Sequence, residues 1–99
     1  MIVQITDAAE VDLEHIGDVI AADNPVRGVS FVRELVTRCE RLTDMPNRFG
    51  LVAGHEDSGI HKVAHHGYLI FYRVGESEVS VIRILHGAMD YEKIRFPKD

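Results

Sequence analysis

The stretch GYLIFYRVGESEVSVIRILHGAMDY, residues 67–91, decides the architecture. Tyr68 to Val74 is dense in aromatic and β-branched residues, Gly75-Glu76-Ser77 supplies a turn, and Glu78 to Leu85 is a second run of the same kind. Two such runs about a turn predict a β-hairpin. In the second run Val79, Val81, Ile82, Ile84 and Leu85 leave almost no polar face. A strand apolar on both sides belongs in the middle of a sheet, with helices covering at least one face. Arg73 and Arg83 interrupt these runs and need a rim or a partner. Pairing across the hairpin rim with Glu76, Glu78 or Asp90 is one option for them, and facing a partner is the other.

Working outward, Ile60 to His65 reads as a strand entering the hairpin through His66-Gly67, and Met1 to Ile5 as a first strand. Between them lie two helices. Thr6-Asp7 can cap the first, with Glu10 completing a near capping box. Ala9, Leu13, Ile16 and Ile20 follow at helical spacing, and Asp7, Glu10 and Asp12 sit where the helix dipole favours negative charge. That helix ends near Asp23. Asn24-Pro25 then caps and starts a second helix, running to about Asp44, with Val32, Leu35, Val36, Cys39 and Leu42 on its buried side. So short a connection makes the pair an antiparallel hairpin. Arg48 to Gly59, with glycines at 50, 54 and 59, is a loop with a weak strand around Leu51-Val52. After Gly87 the tail forms one helical turn or lies extended, ending in Lys93, Arg95 and Lys98. The expected fold is α+β: a single domain over residues 1–99, in the order β-α-α-β-β-β, with a helical hairpin packed on a small, mostly antiparallel sheet.

Composition bounds the function. The chain has 99 residues, 45% hydrophobic and 27% charged, which suits one small globular domain with one core. No apolar run approaches the ~20 residues of a membrane span, and no export signal opens the chain. One cysteine, Cys39, excludes an internal disulfide and, placed in a helical apolar stripe, reads as a core residue. Together these point to a cytoplasmic protein. The net charge of −5 argues against direct nucleic-acid binding through phosphate neutralisation. The distribution is uneven: Asp7 to Asp23 holds six acids and no Lys or Arg, whereas Arg27 to Arg48 holds five arginines against three acids. This describes two solvated, weakly attracting helix faces, or a basic face awaiting an acidic partner.

Catalytic signals are absent. His61 and His65 fall on a strand, where four residues span ~13 Å, too far for one ion. His65 and His66 point to opposite faces if the strand continues that far. The glycines form no phosphate-binding loop, and no GxSxG occurs. Acid–base chemistry by His86, His61 or Tyr91 has no spacing to support it. The residues alone therefore favour a binding function, with no metal or cofactor, over an enzymatic one.

Several strings carry a resemblance. They are Ala8-Ala9 with Asp12-Leu13 and Ile16, Asn24-Pro25, Phe31, Leu42 with Pro46, Gly67-Tyr68, Ile70, Phe71-Tyr72-Arg73 and VIRILHGAMD at 81–90. The pattern resembles the ParE branch of the RelE/ParE superfamily, toxins of bacterial type II toxin–antitoxin modules, over nearly the whole chain. The resemblance implies a helical hairpin on a small sheet, poisoning of DNA gyrase, and neutralisation by a ParD-like antitoxin that represses the shared operon. The RelE branch cuts mRNA on the ribosome with basic residues. The corresponding positions here are Leu69, Met89 and about Arg95, and Leu and Met cannot stabilise phosphate charge. Many relatives carry Arg immediately before the Asp of the HGxxD motif, where this chain has Met89. The resemblance thus implies a gyrase-facing surface of Arg73, Arg83, His86, Asp90 and Tyr91. The exposed side of the helical hairpin and the sheet edge are the expected antitoxin surfaces, with Arg27, Arg33, Arg38 and Arg41 meeting an acidic stretch. Two alternatives stay open: a non-toxic antitoxin-binding, autoregulatory module, and a ribosome-dependent nuclease using His61, His65 or His86.

Overall fold

Strands β1 (Ile2–Ile5), β2 (Ile60–His65), β3 (Tyr68–Val74) and β4 (Glu78–His86) form one sheet in the order β1-β4-β3-β2. β1 runs parallel to β4 and the other pairs are antiparallel. Helices α1 (Asp7–Ala21) and α2 (Pro25–Glu40) lie between β1 and β2 in sequence. These elements come from a computed structural model, which describes residues 1–87. Their order is the expected one.

The doubly apolar pattern of β4 has a physical cause that alternation alone does not reveal. Phe71 faces Arg83, but the next residue, Tyr72, faces Val81, so Ile82 is an extra residue in β4. Such a bulge switches the face that each later side chain takes. Val79 and Val81 before it, and Ile84 after it, all join the core cluster with Ala9, Leu13, Ile16, Leu35 and Cys39 of the helices. Leu85 goes to the other face, where it packs with Phe71, Ile60 and Val52. Both faces of β4 are therefore covered, one by helices and one by the loop that carries Val52.

That loop follows α2. The helix ends at Glu40, earlier than expected, because its last turn tightens into a 3-10 turn over Arg41–Thr43. The buried Tyr72 hydroxyl donates to the Pro46 carbonyl at 2.9 Å and fastens the chain as it leaves the helix. The weak strand at Leu51-Val52 is a single bridge, Leu51 to His61, with Val52 N donating to Ile60 O at 2.8 Å. A second 3-10 turn, Glu56–Ser58, leads into β2.

Thr6, not Asp7, caps α1: its Oγ1 accepts from Ala9 N at 3.3 Å, which puts Ala9 rather than Glu10 at the third helical position. The Thr6 hydroxyl also lies within donating distance of the Val81 and Ile82 carbonyls (2.9 and 3.1 Å), so the cap is tied to the bulge. Asn24 caps α2 as expected, accepting from Arg27 N at 3.1 Å, with Pro25 in the first turn. A Cβ at Gly28 would meet the Ala21 Cβ and the Gly17 carbonyl at 2.8 Å, while one at Gly17 would meet Val32 at 3.1 Å. The pairs 17–32 and 21–28 define an antiparallel hairpin whose backbones nearly touch.

β2 and β3 are joined by two residues, His66 (φ 46°) and Gly67 (φ 86°). Positive φ at both positions is the requirement of a type I′ hairpin turn. Because the strand stops at His65, the expected opposition of His65 and His66 does not arise: their rings stand 4.6 Å apart at 90°.

Candidate functional site

Asp90, Tyr91 and Met89, and the tail with Lys93, Arg95 and Lys98, lie outside the described residues. Arg73, Arg83 and His86 are described, and they do not form one patch. Arg73 is half-buried, and its Nε donates to the Ser58 carbonyl at 3.1 Å. Arg83 does not pair across the hairpin rim. Its Nε and Nη2 donate to Asp12 Oδ2 and Oδ1 of α1 at 2.8 and 2.9 Å. Asp12 Oδ2 also accepts from Ile84 N at 2.9 Å, past the point where β1 stops pairing with β4. The carboxylate thus replaces the missing strand partner and fixes Arg83 as a forked ion pair. That hydrogen-bonded carboxylate holds the Arg83 guanidinium in its charged form, raising its pKa.

His86 is exposed at the end of β4, with its ring 5.2 Å from that of Tyr68 opposite it. With Asp12, His15, Ile16 and Val19 of α1 it lines a shallow cavity of about 200 Å³. Arg73 is five residues along β3 from Tyr68, about 17 Å at strand spacing, so it belongs to the opposite end of the hairpin.

The four arginines of the second helical segment are brought closer together, with different commitments. Arg27 pairs with Glu34 through Nη1 and lies 5.0 Å over the Phe31 ring. Arg38 lies 5.3 Å over the Phe49 ring. Arg33, Arg38 and Arg41 line one groove of about 440 Å³ together with Glu34 and His65. Arg33 and Arg41 are exposed and pair with no acid among the described residues. No ion pair joins α1 to α2 among the described residues, so the charge division between the helices is not spent on holding them together.

The groove ends at a cluster that the sequence reading did not foresee: Glu34, His65 and His66 each offer one ligand atom, all within 4.8 Å of one another. The Arg27 hydrogen bond holds the Glu34 carboxyl below its usual pKa. Burial, and then the neighbouring His66, push the His65 ring below the usual imidazole value. Its Nε2 is buried without a hydrogen-bond partner, at 3.8 Å from Glu34 Oε1, beyond bonding reach. His61, by contrast, is satisfied: Nδ1 donates to Phe49 O at 2.7 Å and the ring stacks on Tyr72. The missed signal was the dipeptide His66-Gly67, whose turn geometry turns one histidine back toward the other.

Comparison with known proteins adds the family. A chain of the structure titled "Chromosomal ParDE TA system from P. aeruginosa" is similar, with a TM-score of 0.74 and 22% identity over 87% of this chain and 95% of that one. A chain of the RelBE2 toxin–antitoxin complex from Mycobacterium tuberculosis aligns with a TM-score of 0.62 and 23% identity, over 86% and 95%. At these identities the likeness is one of fold. No curated protein matches the chain significantly. A family model described as "ParE toxin of type II toxin-antitoxin system, parDE" matches residues 3–91. With nearly its whole length matched, the chain belongs to the ParE toxin family of type II toxin–antitoxin systems.

Proposed function

We propose that this ParE-family toxin acts in the cytoplasm by inhibiting DNA gyrase and is silenced by a ParD-like antitoxin. The observation that carries the reading is the family match over residues 3–91. Leu69 supports inhibition over RNA cleavage: where the RelE branch needs a group that handles phosphate, this chain has an alkyl side chain packed against the Val52 cluster. Both similar structures are titled as toxin–antitoxin assemblies, which supports an antitoxin partner. For that partner the groove of Arg33, Arg38 and Arg41 offers positive charge to an acidic segment.

For gyrase, the proposed contact is the His86 end of β4, with Asp90 and Tyr91 following it in sequence. Arg83, engaged by Asp12, serves this surface from behind, whereas Arg73, engaged by the Ser58 carbonyl, lies at the other end of the hairpin and falls outside it. The test is induction of the chain alone in a bacterium, following labelled thymidine and leucine in the first minutes. Thymidine incorporation should fall first, and purified chain should inhibit supercoiling. An early fall in leucine would replace this reading with a ribosome-dependent nuclease. No change in either, with folded protein accumulating, would leave a non-toxic antitoxin-binding module.

A further inference from the structure

We propose that Glu34, His65 and His66 form a binding site for a divalent transition-metal ion, with Zn²⁺ the best match to two imidazoles and one carboxylate. The site clamps α2 to the β2–β3 turn. Five observations converge on it.

The three donor atoms lie within 4.8 Å of one another. A tetrahedral zinc site with bonds of about 2.0–2.1 Å places its ligand atoms about 3.4 Å apart, so binding would draw these donors closer together than they stand here. His65 Nε2 is buried and has no hydrogen bond, a state that proteins seldom leave unrelieved. It faces Glu34 Oε1, which Arg27 Nη2 reaches at 3.5 Å, while Arg27 Nη1 takes the other oxygen, Oε2. Arg27 is therefore placed as the outer partner that orients a ligating carboxylate, holding Oε1 at the limit of hydrogen-bond reach and so the more open oxygen for the ion. The ring of Phe31 lies below both histidines, with centroids 5.9 and 6.5 Å away, and provides an apolar floor.

The choice of residue at position 66 is the fifth observation. A two-residue turn with positive φ at both positions is best served by Asn-Gly, whereas this chain places His at φ 46°. The left-handed conformation brings its imidazole to 4.6 Å from that of His65. Histidine enters the left-handed region more readily than most residues, and at this position it sets a second nitrogen donor beside the first. Three protein ligands leave a fourth position open to water or to a carboxylate of an incoming acidic segment. The site borders the groove of Arg33, Arg38 and Arg41, so bound metal adds positive charge to the same face.

The test uses purified full chain titrated with ZnCl₂ by calorimetry, with thermal unfolding measured in zinc and in chelator. One equivalent should bind, and zinc should raise Tm. His66→Asn should keep or raise Tm in chelator, because Asn-Gly favours this turn. It should also weaken zinc binding by at least about tenfold, and Glu34→Gln should do the same. His15→Ala, on α1 and away from the cluster, should bind as the unaltered chain does. No binding at about 100 µM zinc, or affinity in His66→Asn and Glu34→Gln as high as in the unaltered chain, would overturn the proposal.

Discussion

Asp12 joins three parts of the molecule through one carboxylate: it lies on α1, accepts a forked pair from Arg83 and caps the Ile84 amide where β1 has ended. Its side chain is 11% exposed, so the group it leaves behind on removal is an amide and a guanidinium in a half-dry setting. Asp12→Ala should lower stability by about 2–3 kcal/mol, and Asp12→Asn by less, because the amide oxygen still accepts from Ile84. Urea denaturation checks the order; equal losses would mean that charge, not the strand amide, carries the effect. Composition and spacing identify Asp12 as an acid near a helix N-terminus and Arg83 as a charge in need of a partner. Their pairing across 71 residues is a property of the folded sheet and is not written in either neighbourhood. Cys39 is the opposite case, legible from its place in the apolar stripe. It is fully buried, and burial pushes its thiol up to about 12. Near pH 8 only about one thiol in ten thousand is then ionised, so a thiol reagent should react at the rate of unfolding and not faster. Prompt reaction of the native protein would contradict the placement.

At the scale of elements, the helical hairpin is set by two glycines with unequal tasks. Gly28 lies 2.8 Å, measured from an added Cβ, from both the Gly17 carbonyl and the Ala21 Cβ, neither of which is a flexible end. Gly28→Ala should therefore part the helices and cost about 2 kcal/mol. Gly17 faces one Val32 methyl at 3.1 Å, and the helix propensity gained from alanine, about 1 kcal/mol, opposes that crowding. Gly17→Ala should stay within about 1 kcal/mol of the unaltered chain, and thermal unfolding of the pair gives the comparison. The order of elements was readable because each segment states its own period and its own stop: Asn24-Pro25, Gly75-Glu76-Ser77 and the apolar stripe of α1 are local signals. The Ile82 bulge, the shared Thr6 cap and the crossing at Gly28 depend on what lies opposite in space, so they were not. The candidate site divides on the same line. The arginines of α2 were visible as a run of charge, while Glu34, His65 and His66 meet through a turn whose handedness is set by two φ angles.

For the whole molecule, a net charge of −5 should repel an acidic partner, and the proposed antitoxin contact works only if local charge outweighs the total. The groove beside α2 meets that condition, because Arg33 and Arg41 are exposed and unpaired among the described residues while Arg27 is neutralised by Glu34. Charges farther away than the Debye length, about 8 Å at physiological salt, are largely screened, so the chain's total charge counts for little at this surface, although Glu14 and Asp18 of α1 share a neighbouring cavity with Arg33. The four arginines are consequently unequal. Arg33→Glu with Arg41→Glu should weaken antitoxin binding by at least about tenfold, whereas Arg27→Gln should change it little, since its charge is already spent within α2. The salt dependence separates charge from shape: affinity of the unaltered chain should fall as ionic strength rises, and that of the double variant should fall less. Both are measurable by titrating labelled antitoxin peptide at two salt concentrations. Equal salt slopes would move the antitoxin off this groove and onto an apolar or sheet-edge surface, because a contact made by desolvating alkyl groups or by backbone pairing does not weaken with salt.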